Sequence, residues 1–252
     1  MQPRNDWPEA VEVINEGGAS DIVLICEHAS NHMPPEYAGL GLDAQDLTRH
    51  IAWDIGAAAV TRGLAERLDA PAFLGHYSRL LIDLNRPPGV PSSIPERSES
   101  TDIPGNLGLT EVERKRRRDL IFAPFHNRVA KHLSARERAG RKTRIVAIHS
   151  FTPVFHGKAR EWHAGVLYDG SRAFGEAAVK GLARDSNLNV GHNVPYVISR
   201  DGDYGVLVHG EDRGHPAILF EMRQDLIANG HGIAEWTLRL AKVLGAISFD
   251  GL

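Results

Sequence analysis

Short apolar runs rich in branched side chains recur along this chain with helical stretches between them. That alternation restricts the fold more than any other feature of the sequence. Ile22–Cys26 and residues 80–84, 144–148, 164–168, 194–198 and 217–221 have the length and composition of buried strands. Between them, residues 43–68, 110–137, 171–182 and 233–244 repeat apolar side chains at helical spacing. The pattern predicts an α/β fold with a mainly parallel or mixed central sheet flanked by helices. No repeat and no linker divides the 252 residues. Residues 1–252 therefore read as one domain, with residues 1–18 as a polar N-terminal extension.

Local signals refine this outline. Asp54 and Gly56 interrupt the 43–68 pattern, and Asp54 is placed to cap a second helical piece. Thr110 and Glu113 have the spacing of a capping box, and Pro124 predicts a kink in the helix that follows. Residues 87–110, rich in Pro, Gly and Ser, are too many for an ordinary connection, so they read as a lid, a binding loop or an insert.

Composition removes several classes of function. Lys and Arg total 29 against 32 Asp and Glu, a net charge of −3, which argues against a general nucleic-acid or anionic-membrane binder. The basic run from Arg114 to Arg118 spreads around a helix, and Glu113 pairs with Arg117 at i+4, so it reads as a solvated face. The single cysteine, Cys26, excludes an intramolecular disulfide and a multi-thiolate metal site. With 13 histidines in the chain, imidazoles and carboxylates are the ligands left for any metal. No apolar run approaches the roughly 18 residues of a membrane span, and residues 1–18 have no signal-peptide pattern, so the expected location is cytoplasmic. Gly-rich phosphate loops and a G-x-S-x-G elbow are absent from the sequence.

The informative polar residues stand at strand ends. Ile22–Cys26 runs into Glu27 and His28, residues 144–148 into His149, and residues 217–220 into Glu221. In an open α/β sheet the carboxyl ends of the strands form the binding crevice, so these side chains should converge there. Two imidazoles, a carboxylate and a water make an open tetrahedral zinc site, and a further carboxylate can serve as general base. Each residue also has a plainer reading. His28 fits a loop histidine bonded to a carbonyl, with His32 as its substitute or helper, and Asp54 fits a helix cap as well as it fits a ligand. For His149 and Glu221, which directly follow apolar strands, burial without a partner is costly, which favours function. Asp83 reads as the partner of a nearby arginine. Arg79, Arg86, Arg160 and Arg223 form a second set, suited to bidentate pairing with carboxylates of an acidic substrate or with internal acids.

Six stretches in order, Cys26-Glu-His-Ala-Ser-Asn-His-Met-Pro34, Ala52-Trp-Asp-Ile-Gly-Ala57, Ser78-Arg-Leu-Leu-Ile-Asp-Leu-Asn-Arg-Pro87, Ile103-Pro-Gly-Asn106, Ala147-Ile-His-Ser-Phe-Thr-Pro153 and Phe220-Glu-Met-Arg-Gln-Asp-Leu-Ile227, resemble the N-formylglutamate amidohydrolase family. The resemblance spans about residues 22–244. It implies a fold like the zinc carboxypeptidases and peptidoglycan amidases, with His28, Asp54 and His149 holding Zn2+ or another divalent metal and Glu221 as acid/base. It implies hydrolysis of N-formyl-L-glutamate to formate and L-glutamate, with another N-acyl amino acid or a peptidoglycan amide as the alternative. A metal-binding or interaction protein without turnover is the reading from a different class. Arg79, Arg86 and Arg223 would then hold the carboxylates of a small acidic substrate, with Asn193 and Tyr196 lining the pocket. Glu27 departs from the Pro-His-Ser-Gly type of first motif, and stands as a further ligand or as a partner of one.

Overall fold

The computed structural model describes residues 7–248, so residues 1–6 of the expected extension lie outside the described residues. In chain order the elements are β1 (Val11–Ile14), β2 (Ile22–Cys26), α1 (Ala57–Leu68), β3 (Ala72–Gly75), the short hairpin β4 (Arg97–Ser98) and β5 (Thr101–Asp102), α2 (Glu111–Arg117), α3 (Ala123–Arg138) and β6 (Arg144–Phe151). A second short hairpin follows, β7 (Val154–Phe155) and β8 (Lys158–Ala159), then β9 (Ala164–Leu167), α4 (Arg172–Leu182), β10 (Val190–His192), α5 (Gly205–His209), β11 (Ala217–Arg223) and α6 (Gly230–Ala246).

Seven strands form one mixed sheet in the order β1-β3-β2-β6-β11-β9-β10. The four inner strands β3, β2, β6 and β11 run parallel, β1 is antiparallel to β3, and β9 is antiparallel to β11. Every residue of β2 and β6 is buried. Helices cover both faces, which is why these strands read as continuous apolar runs rather than alternating ones. The period of two still sorts their side chains. Val23, Ile25, Ile145, Ala147 and Leu219 pack with Phe125, Val129 and Leu133 of α3. Ile22, Leu24, Val146, Ile148, Ile218 and Phe220 pack on the opposite face with Val60 and Leu64 of α1, Phe174 of α4 and Trp236 and Leu240 of α6. No helix among the described residues is long and apolar enough to cross a membrane.

Several expected elements differ from the structure. Residues 80–84 are buried but turned, not a strand. Their backbone groups are met outside any ladder: Asn106 Nδ2 donates to Leu80 O, Arg117 Nη1 donates to Leu81 O, and Asp83 N donates to Ser93 O. The strand beside β2 is instead β3, and β1 lies within the stretch expected as an extension, where it covers the edge of β3. Residues 194–198 form no strand, and β10 precedes them. Residues 43–56 hold only a short 3-10 turn, Asp46–Thr48. Helix α1 starts after Gly56, whose φ of 84° suits glycine, and Asp54 contributes its carbonyl to Ala57 N rather than a side-chain cap. Half of the capping box forms: Thr110 Oγ1 accepts from Glu113 N at 3.2 Å, while the Glu113 carboxylate accepts from Tyr37 Oη and Arg117 Nε instead of reaching back to Thr110 N. A π-helical turn at Arg118–Phe122 separates α2 from α3 just before Pro124, which has no N–H to continue the ladder.

Candidate functional site

Strands β2, β6 and β11 are neighbours, so their carboxyl ends lie side by side. His149 and Glu221 are directly paired in the parallel register of β6 and β11. Glu27 and His28 follow the last residue of β2. The loop before α1 is tied to the same edge, because Asp54 N donates to His28 O at 2.9 Å. Asp54 Oδ2 then lies 3.0 Å from His149 Nδ1 and 3.4 Å from His28 Nδ1, and it accepts from Ser150 N at 3.1 Å. One donor atom from each of His28, Asp54 and His149 lies within 4.8 Å of the others. The two imidazole rings stand edge to face at 87°.

The outer nitrogen of each imidazole is held by a carboxylate. His28 Nε2 donates to Asp83 Oδ1 at 2.7 Å, and His149 Nε2 donates to Glu27 Oε2 at 2.9 Å. Such partners fix the ring orientation and leave the inner nitrogen as the one that can ligate. His28 Nδ1 is buried and has no hydrogen-bond partner. An unpaired ring nitrogen, a carboxylate oxygen and a second imidazole aimed at one point fit a divalent cation, and two nitrogens with one oxygen suit zinc.

Burial makes the electrostatics strong. Glu27, His28, Asp54, His149 and Glu221 are between 1% and 6% exposed. Burial alone would raise Asp54, but the His28 and His149 imidazoles hold it far below the carboxylate range. Burial would lower His149, yet its bonds to Asp54 and Glu27 raise it well above the usual histidine value. Burial also works against the Asp83 carboxylate, and the Arg79 guanidinium with His28 holds it well below its usual value. Glu221 has no such support. Desolvation pushes it up to about 8, with Asp54 adding to the rise and His149 opposing it, and its Oε2 has no hydrogen-bond partner.

A cleft of about 610 Å³ opens over this group, lined by His28, Asp54, His149, Glu221, Arg79, Arg86 and Tyr196 among others. A groove of about 730 Å³ between α4 and α6 contains none of the strand-end residues. Arg79 reaches the cleft but donates from Nε and Nη2 to Asp83 Oδ2 at 2.9 and 2.6 Å, with Nη1 3.4 Å from Asp54 Oδ1. Arg86 lines it while pairing with Asp203 at 3.2 Å and donating to the carbonyl of Gly202. Arg223 is not among the lining residues; it pairs with Asp225 at 2.8 Å. Asn193 is also outside the lining, its Oδ1 accepting from Tyr168 N at 2.9 Å. Glu27 stands behind His149, outside the converging trio, and His32 packs against His76 and Tyr77. The sequence pointed to Asp83 as an arginine partner; its second bond, to His28, had no local signal. Asn85, whose Oδ1 accepts from the N–H groups of Tyr204 and Gly205, was not picked out at all.

The family model for N-formylglutamate amidohydrolase matches residues 20–228. Among solved structures, the gene product Atu2144 from Agrobacterium tumefaciens is 41% identical over 94% of each chain, with a TM-score of 0.91. The N-formylglutamate amidohydrolase from Ralstonia eutropha JMP134 shares the fold at 15% identity and a TM-score of 0.62, over 94% of this chain and 96% of that one. No curated protein is significantly similar to the chain.

Proposed function

Because the chain belongs to the N-formylglutamate amidohydrolase family, and is thereby an amidohydrolase of C–N bonds, we propose that it is metal-dependent and cleaves the amide of an N-acyl amino acid, with N-formyl-L-glutamate as the leading substrate. The observation that carries this reading is the convergence of His28, Asp54 and His149 beside a buried carboxyl, Glu221, that has no partner of its own. His28 Nδ1, His149 Nδ1 and Asp54 Oδ2 would hold the ion, and the donor set favours zinc. A divalent cation bound there supplies Lewis-acid polarisation of the amide carbonyl and lowers the pKa of water from 15.7 to roughly 7.

The remaining work falls to the chain. Asp83 and Glu27 keep the two imidazoles in the orientation that turns Nδ1 inward. Glu221 takes a proton from the attacking water as the new C–O bond forms. Desolvation raises its proton affinity in the metal-free protein, and a divalent cation held beside it would favour the ionised form, leaving a carboxylate able to accept that proton and basic enough to carry it. It then delivers the proton to the amide nitrogen as the C–N bond breaks. For N-formyl-L-glutamate and one water the products are formate and L-glutamate. A small acidic substrate and a single cysteine suit a cytoplasmic enzyme.

The test is a screen of zinc-loaded protein on N-formyl, N-acetyl and longer N-acyl forms of Glu, Asp and Gln, reading release of free amine. Wild type should be most active on the N-formyl form of glutamate, and E221Q should retain metal while losing roughly 100- to 10,000-fold in kcat. Metal retention with no cleavage of any substrate by wild type would instead support a non-catalytic metal-binding protein.

A further inference from the structure

We infer that Arg160 is the carboxylate anchor of the cleft, the group that pairs with a carboxylate of an N-acyl amino acid; the inference rests on the amidohydrolase reading above and names the feature of the substrate that the site selects. The argument starts from how the arginines near the cleft are engaged. Arg79 is committed to Asp83, Arg86 to Asp203, Arg97 to Asp102 at 3.4 Å and Arg223 to Asp225. Among the described residues, Arg160 has no carboxylate partner. Its side chain makes one hydrogen bond, from Nη1 to Tyr196 Oη at 2.8 Å.

That side chain is nonetheless held in place. Its guanidinium carbon lies 4.5 Å from the ring centre of Phe155, 4.9 Å from Tyr196 and 5.5 Å from Phe151. These three rings line the same cleft as His149 and Glu221; Arg160 is not itself among the lining residues and stands against the rings that are. Phe151 is two residues beyond His149 on β6, roughly 7 Å along the strand. The backbone is fixed as well. Arg160 N donates to Pro153 O at 2.8 Å, extending the pairing of β7 and β8. Arg160 O accepts from Arg223 Nη1 at 3.3 Å, so Arg223, neutralised by Asp225, braces the loop that carries Arg160.

The result is a planar cation set among aromatic rings, its Nε–Nη2 edge without an acceptor among the described residues. That edge offers two parallel N–H donors, the geometry that takes a carboxylate bidentately. The rings cover part of its faces and hold the guanidinium by cation–π contact. Orientation is set before binding, so little side-chain entropy is lost when the anion arrives. A neutral amide of the same shape would leave those donors without their charge-assisted bonds.

The experiment compares wild type, R160M and R160K on N-formyl-L-glutamate and on its diamide, in which both carboxylates are carboxamides. R160M keeps the stacked apolar bulk and removes the charge. It should raise KM for N-formyl-L-glutamate roughly 10- to 100-fold, with kcat within about threefold. R160K should fall between them, because an ammonium is a point charge without the planar fork. KM for the diamide should not change. An unchanged KM for N-formyl-L-glutamate in R160M, or an equal rise for the diamide, overturns the inference. Calorimetric titration of N-formyl-L-glutamate into E221Q and E221Q/R160M separates the two claims. Arg160-dependent binding without cleavage by wild type keeps the anchor and removes the amidohydrolase substrate assignment. Cleavage with Arg160-independent binding does the reverse. Absence of both binding and cleavage for the N-acyl forms of Glu, Asp and Gln removes both.

Discussion

Replacing Gly205 by alanine should weaken metal binding from a position that touches no ligand. Gly205 opens α5, and a Cβ built there would lie 1.8 Å from Glu27 Oε1, with Asn85 Oδ1 at an ordinary 3.4 Å. A flexible carboxylate at the surface would swing aside. Glu27 is 1% exposed and its other oxygen holds His149 Nε2 at 2.9 Å, so it cannot yield without moving that bond. Overpacking of this kind costs about 2 kcal/mol, or roughly 4–8 °C in Tm for a domain of this size. Loss of the carboxylate behind a ligating histidine typically weakens metal affinity roughly 10- to 100-fold. The assay is competitive titration of zinc against a chromophoric chelator, with thermal unfolding followed on the same samples. A second variant isolates the cause: in an E27A background the added methyl meets no carboxylate, so G205A should then change neither Tm nor affinity appreciably. Wild-type zinc affinity in G205A, or the same loss of Tm with Glu27 already removed, would refute this account.

Other expectations follow from the same geometry. His149, raised well above its usual value by Asp54 and Glu27 against the effect of burial, carries a proton in the metal-free protein that a cation must displace. Apparent zinc affinity should therefore rise about tenfold per pH unit between pH 6 and pH 8 for each proton released, and calorimetry in buffers of different ionisation enthalpy should count that release. A pH-independent affinity would contradict it. His126 and His209 form a second buried pair, with Nδ1 and Nε2 2.8 Å apart and His126 Nε2 donating to Leu84 O. Burial pushes them down to about 3 and about 4. Both are neutral in the folded and unfolded states above pH 6.5, so they contribute no pH dependence there. As pH falls below 6.5 the unfolded chain takes up protons first, and at pH 5 the pair should have lost about 4 kcal/mol of stability. Urea unfolding of wild type and H209Q at pH 7 and pH 5 checks this, since the variant should lose less between the two pH values. Equal losses would show that the pair does not titrate as its burial requires.

Much of the site was legible because burial leaves a local trace. A strand covered on both faces must be apolar throughout, so a carboxylate or imidazole directly after it stands out. His149 and Glu221 carried that signal outright, whereas His28, set one residue further on behind Glu27, fitted a loop histidine as readily. Asp54 did not, since its sequence fits a helix cap equally well. Only the fold shows that α1 starts after Gly56 and that Asp54 Oδ2 faces two imidazoles. Arg79, Arg86, Arg160 and Arg223 were indistinguishable as letters, because a guanidinium's partner is set by what lies across space from it.

The same division applies to the backbone. Composition marked β2, β6, β9 and β11, but residues 80–84 have equal apolar content and form no strand. Their N–H and C=O groups are met by Asn106, Arg117 and Ser93, which no local pattern reveals. The sequence by itself determined which segments must be buried and which polar residues stand at their ends, because hydrophobicity belongs to each residue. Tertiary structure alone decided which nitrogen of each histidine faces inward, which carboxylate stands behind it and which arginine is left without an acid. Hydrogen bonds and ion pairs act over about 3 Å between groups far apart in the chain, so they exist only once the chain has folded.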